Sequence, residues 1–159
     1  MKTNIKCSGC PYMDENTTKV DGIHFNNKVL LVMHSPGDNE NEKGRPLSGT
    51  KGSSATKIIE KLLPANKTLD DYAVVELVRC KPANGKIDEI ALAICYRYLE
   101  DDIIQYQFDR IVTFCDPAFP IVKNIISRNK LSAEVIQCKY PKNTLTKEEQ
   151  DEIKSALAL

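Results

Sequence analysis

Four cysteines are the residues best suited to chemistry. Cys7 and Cys10 form a C-x-x-C pair, and Cys80 sits in the segment Val78-Arg79-Cys80-Lys81-Pro82-Ala83-Asn84. Cys95 follows fifteen positions later, inside an apolar helical pattern. A tight pair presents two sulfurs on one small loop, and two more thiolates brought up by folding would complete a four-sulfur site. Such a site suits an iron–sulfur cluster or tetrahedral zinc. The competing reading is four buried free thiols, since cysteine is among the most buried residue types. Cys115 and Cys138 end strand-like runs, where a redox pair or a nucleophile is one reading and small apolar fillers the commoner one.

These residues need a scaffold, and 159 residues allow one domain, 1–159, with a proper core. The chain is too long and too regularly patterned for a secreted disulfide scaffold. Residues 1–6 lead into the C-x-x-C without an apolar run, so no signal peptide is expected, and no apolar stretch reaches membrane-spanning length. A reducing cytoplasm is the expected location. Basic and acidic residues balance at 22 each, so no global positive field advertises nucleic acid. Contact with nucleic acid would have to come from local patches, for which Arg45, Arg79, Lys81, Lys86, Lys139 and Lys142 are candidates.

Strand-like runs alternate with helical patterns. Residues 29–33 form a short continuous apolar run, as expected of a strand buried on both faces. Strands are also predicted at 72–78, 110–114 and 134–138. Helices are predicted at 53–63, stopped by Pro64, from Asp88 to about 104, at 118–128, and at 146–157 with Thr146 and Glu149 as a capping box. Repeated strand–helix units imply a parallel sheet with helices on both faces.

In such sheets the ligand crevice lies beyond the carboxyl ends of the strands. The loops there begin at Met33-His34, Arg79-Cys80, Cys115-Asp116 and Lys139-Tyr140. The first is polar and glycine-rich, running from His34-Ser35-Pro36-Gly37 through Gly44-Arg45-Pro46-Leu47-Ser48-Gly49 to Gly52. Its glycines permit close backbone approach to a ligand. His24, between Ile23 and Phe25, reads as structural.

The strand at 29–33 followed by x-x-Pro-Gly and then Gly-Arg-Pro-x-x-Gly-x-x-Gly resembles the first motif region of the iron–sulfur (family 4) uracil-DNA glycosylases. The third cysteine segment, with Arg79, Lys81, Pro82 and Asn84, fits the same family. The resemblance covers nearly the whole chain. It implies a three-layer α/β/α sandwich around a four-stranded parallel sheet. It also implies a [4Fe-4S] cluster, rather than zinc, on Cys7, Cys10, Cys80 and Cys95. DNA is the partner it implies; a protein partner is the alternative, with no membrane association and a monomeric state expected.

The resemblance fails at the pocket. Ser35, Pro36 and Gly37 fit, but the family's acidic residue before them is replaced by Met33-His34. The aromatic residue after Gly-Arg-Pro is Leu47, the uracil-reading asparagine is Glu76, and the late histidine is Tyr140. Leucine packs without a π face. An ionised glutamate accepts hydrogen bonds but cannot donate, so it suits a base carrying amino donors better than uracil. His34 is the candidate general base. The expectation is a diverged DNA glycosylase acting on an altered or non-uracil base, ordinary uracil excision being doubtful. A non-catalytic DNA- or protein-binding module that keeps fold and cluster is the alternative.

Overall fold

A computed structural model describes residues 7–13 and 17–158. The reading of residues 1–6 lies outside the described residues. Four strands, β1 (Val29–Met33), β2 (Ala73–Glu76), β3 (Arg110–Thr113) and β4 (Glu134–Gln137), form one sheet in the order β2-β1-β3-β4. Every pairing is parallel, with Met33 opposite Glu76 and Val32 opposite Thr113. β1 is buried throughout, which its unbroken apolar run foretells.

The helices are α1 (Asp38–Lys43), α2 (Ala55–Leu62), α3 (Glu89–Tyr106), α4 (Ala118–Arg128) and α5 (Lys147–Leu157). The chain leaves β1 for β2 on one side, then crosses back over β1 to β3 on the other. Right-handed crossovers in opposite directions must place α2 and α3 on opposite faces. Leu31, Met33, Val112 and Phe114 accordingly pack with Ile59 of α2 and Ile153 of α5. Leu30, Val32, Val75 and Ile111 pack with Leu99 of α3 and Val122 of α4. The expected three-layer α/β/α sandwich is present.

Capping fixes where the helices start. Ser54 Oγ accepts from Lys57 N, Asp88 Oδ1 accepts from Ile90 N and Ala91 N, and Thr146 and Glu149 form the expected capping box. Two features depart from the sequence reading. The long loop after β1 contains α1, whose Glu40 carboxylate accepts from Gly37 N and Ser48 N at 3.0 Å each. β2 is shorter than predicted, ending at Glu76: Leu77 N still donates to the Met33 carbonyl as in the ladder, and the pattern breaks where Val78 N donates to the His34 carbonyl. Although β2 is at the sheet's edge, it is buried: Ile23 and Val74 exchange backbone hydrogen bonds of 3.0 and 3.1 Å, so the incoming segment covers that edge. Among the described residues no helix is long and apolar enough to cross a membrane.

Asp88 caps the longest helix, so Asp88→Ala should lower stability by about 1 kcal/mol, read as a lower midpoint in urea unfolding at unchanged slope. An unchanged midpoint would mean the cap contributes nothing.

Candidate functional site

A cavity of about 570 Å³ opens beyond the carboxyl ends of β1, β3 and β4. His34 lines it from the end of β1, Cys115, Asp116 and Pro117 from the end of β3, and Lys139, Tyr140 and Lys142 from the end of β4, with Leu145 and Glu149 beside them. This is where strand order reverses, the usual crevice of open α/β sheets. Three of the four loops singled out in the sequence meet here; the Arg79-Cys80 loop does not.

Burial sets the protonation of this site. His34 is half-buried, with Nδ1 2.8 Å from Ser35 Oγ, and desolvation lowers its pKa. The imidazole is therefore neutral at pH 7. Tyr140, although 36% exposed, is pushed up to about 12, chiefly by desolvation of its hydroxyl and then by the charges of Glu76, Glu40 and Cys115. The Cys115 thiol, raised to about 11 chiefly by burial, lies 3.6 Å from the Met33 carbonyl.

Glu76 is buried among these groups with its Oε2 unpartnered among the described residues. Burial, with the Glu40 charge adding to it, lifts its pKa to about 8. The ionised glutamate of the sequence reading is thus replaced by a neutral acid at pH 7, which offers an O–H donor as well as an acceptor. Glu76 does not line the cavity but bears electrostatically on Tyr140 and Cys115, which do.

The remaining pocket candidates scatter. Ser35 touches His34, Pro36 is buried, and Gly37 is the N-cap of α1. Leu47 is packed into the α2/α5 core and borders a separate open depression with Lys43, Arg45 and Ser48. Its φ of 48° puts a branched residue in the left-handed region, a costly conformation held by the surrounding packing. Nearby, a Cβ on Gly49 would stand 2.7 Å from the Ser54 Cβ, so this loop seats against α2 only as glycine.

Of the candidate rim cations, Lys139 and Lys142 line the cavity and make no ion pair among the described residues. Lys81 pairs with Asp38 at 2.5 Å, and Arg45 reaches Asp70 and the His24 ring. Arg79 is not a rim residue: its side chain is 4% exposed and holds Asp102 at 2.5 Å. Cys115 and Cys138 pack into opposite faces of the sheet, as fillers rather than a pair.

Arg79 leads instead to the cysteines. Burial, followed by the charges of Cys95, Cys10 and Cys7, pushes the Cys80 thiol up to about 12, so the four thiols share one neighbourhood. Burial raises Cys95 as well, opposed by the Arg79 backbone hydrogen bond and charge. Cys7 Sγ and Tyr98 Oη are 3.1 Å apart. Among the described residues no three Cys, His, Asp or Glu side chains converge on a single metal-ion position. A cluster does not require such convergence, since each of its four thiolates holds a different iron. Four thiols in one neighbourhood are the donor set that a four-thiolate cluster would use. Sequence reasoning overlooked Tyr98, although it lies one helical turn after Cys95.

A four-stranded parallel sheet with its crevice at the strand-order reversal defines an α/β/α protein with a cavity at the carboxyl edge of its sheet. The model of the family described as the uracil DNA glycosylase superfamily matches residues 21–158, and the chain belongs to that superfamily. Its relatives include the type-4 uracil-DNA glycosylase of Sulfurisphaera tokodaii, 29% identical over 62% of this chain and 45% of that protein. The Saccharolobus solfataricus enzyme of the same name is 28% identical over 68% of this chain and 50% of its own length. The chain spans about half the length of the curated relatives it matches. The crystal structure of AF0587, a protein of unknown function, shares the fold with a TM-score of 0.53 at 12% identity, over 84% of this chain and 45% of that one.

Glu76 makes stability depend on pH with a defined sign. Its pKa is raised from 4.5 to about 8, so between those values the folded chain keeps a proton that the unfolded chain releases. Stability falls as pH rises through that window, by up to roughly 1.4 kcal/mol per pH unit, and levels off above it. Glu76→Gln removes the effect. The variant's stability relative to the parent should therefore rise from pH 5 to pH 8, measured by urea unfolding. A constant difference would mean that folded Glu76 is already ionised at pH 5.

Proposed function

We propose that this chain is a diverged iron–sulfur member of the superfamily that binds DNA and hydrolyses the N-glycosidic bond of an altered or non-uracil base. The observation that carries this reading is the cavity, lined by a neutral histidine, a protonated tyrosine and two cations without ion-pair partners among the described residues. With Nδ1–H donating to Ser35 Oγ, His34 Nε2 keeps its lone pair and takes a proton from water. The water oxygen attacks the sugar C1′, the C1′–N bond breaks, and its electron pair leaves with the base. Tyr140 Oη donates a hydrogen bond to the departing base, while Lys139 and Lys142 hold flanking phosphates. Glu76, as a neutral acid, supplies both a donor and an acceptor behind the cavity lining. Ser35 orients the His34 ring, while Pro36, Gly37 and Leu47 do not line the cavity.

Cys7, Cys10, Cys80 and Cys95 would hold one [4Fe-4S] cluster, which when bound supplies a structural tie and a one-electron couple. A monomer in a reducing cytoplasm accords with this. The second reading, a binding module without catalysis, is favoured by Leu47, which lies in the core rather than in the cavity.

A panel of single-stranded and duplex oligonucleotides bearing different bases, followed by alkaline cleavage at abasic sites, decides between the two. Uracil release should be weak, since each substituted catalytic group is worth roughly 10²-fold or more. Restoring Asn at Glu76 alone should recover little, because such groups act together. Uracil removal at the rate of an efficient glycosylase would overturn the pocket assignment. DNA binding with no base released from any oligonucleotide would establish the second reading. Anaerobically purified protein should be brown, and Cys80→Ser should lose iron and much of the fold; stoichiometric zinc without iron or sulfide would refute the cluster.

A further inference from the structure

Around the four cysteines, the polar side chains are arranged as though to serve something charged. Arg79 is the most constrained of them. Its Nη2 is 2.5 Å from Asp102 and its Nη1 3.7 Å from Asp21, so both ends of the guanidinium fork are occupied. Its Nε is buried and has no partner among the described residues. An unsatisfied buried donor on a charged group is costly, and its persistence calls for an acceptor. The Arg79 backbone donates to Cys95 while its guanidinium lies 5.2 Å from the centre of the Tyr98 ring. Lys19 Nζ sits 4.4 Å from that same ring. The ring's own hydroxyl reaches Cys7 Sγ at 3.1 Å. One cation and one aromatic ring thus bridge cysteines from both ends of the set.

We propose that Arg79 and Tyr98 are positioning residues for the cluster: Tyr98 Oη–H donates to the Cys7 sulfur, and Arg79 supplies positive charge beside Cys95, with its buried Nε–H left over to donate to the group the cysteines hold. This rests on the four cysteines holding an iron–sulfur cluster. Four thiolates and an oxidised cluster carry net negative charge, and reduction adds one more electron. Hydrogen bonds to the sulfurs and a nearby cation stabilise the more negative, reduced form, so they raise the reduction potential. Asp102 and Asp21 hold the guanidinium in place and temper its charge without taking Nε.

The test is a redox titration of the anaerobically reconstituted full chain, with iron content and the melting temperature of each loaded protein measured alongside. Tyr98→Phe keeps the ring and removes one hydroxyl. It should load iron to the parent level and shift the potential to a more negative value. Arg79→Gln, which removes both the charge and Nε, should shift it further in the same direction. Arg79→Lys, which restores the charge alone, should recover part of the shift. If Tyr98→Phe and Arg79→Gln load fully and titrate at the parent potential, the proposal is overturned. Should Arg79→Gln fail to fold, Tyr98→Phe decides: a parental potential overturns the proposal, and a negative shift at full loading supports it. A parent chain that takes up no iron and sulfide fails differently, since it removes the cluster itself before any variant is compared.

Discussion

Everything in this fold hangs on β1, a five-residue strand buried on both faces and paired on both edges. Because β1 is central, the chain must leave it in one direction and return past it in the other. That reversal puts α2 and α5 on one face and α3 and α4 on the other, and it opens a crevice where no crossover covers the strand ends. His34, the residue immediately after β1, is therefore delivered to the cavity by topology. No special loop geometry is needed to place it there.

The chemistry available at that crevice is set by burial more than by charge pairing. Glu76, Tyr140 and Cys115 all have raised pKa values, each with desolvation as the leading cause, and His34 is lowered for the same reason. All four are neutral at pH 7. Neutral groups at the lining, with Glu76 behind it, avoid the cost of keeping a fixed charge desolvated. The formal charges of the lining are balanced, with Lys139 and Lys142 against Asp116 and Glu149.

The fold was legible because its signals are local. The apolar run of β1, the stop at Pro64, the Asp88 cap and the Thr146–Glu149 box each state an element's type or limit within a few residues. α1 was not legible, since it is six residues without a buried side chain and exists through Glu40 and the left-handed Gly44. The site was legible as loops but not as environments. Residue type gives Glu76 a carboxyl group, while only the packed structure removes its water and returns its proton. Arg79 looked like a rim cation because sequence cannot tell an exposed guanidinium from one clamped by Asp102, twenty-three positions away. Leu47 likewise followed a motif position, yet the positive φ turns it toward the core.

The cavity and the cysteines are separate places, yet one short segment serves both. Glu76 ends β2, and Arg79 and Cys80 follow within four residues. Between them, Val78 N donates to the His34 carbonyl at 3.2 Å and Leu77 N to the Met33 carbonyl at 3.2 Å. Beyond them, the Arg79 carbonyl accepts from Val20 N at 2.6 Å, tying down the segment that carries Lys19. Leu77 and Val78 are fully buried. Any group that holds Cys80 in place therefore also fixes the backbone on which His34 and Glu76 depend. Cys80 is thereby linked to the end of β1 through backbone hydrogen bonds alone, whatever the four thiols hold.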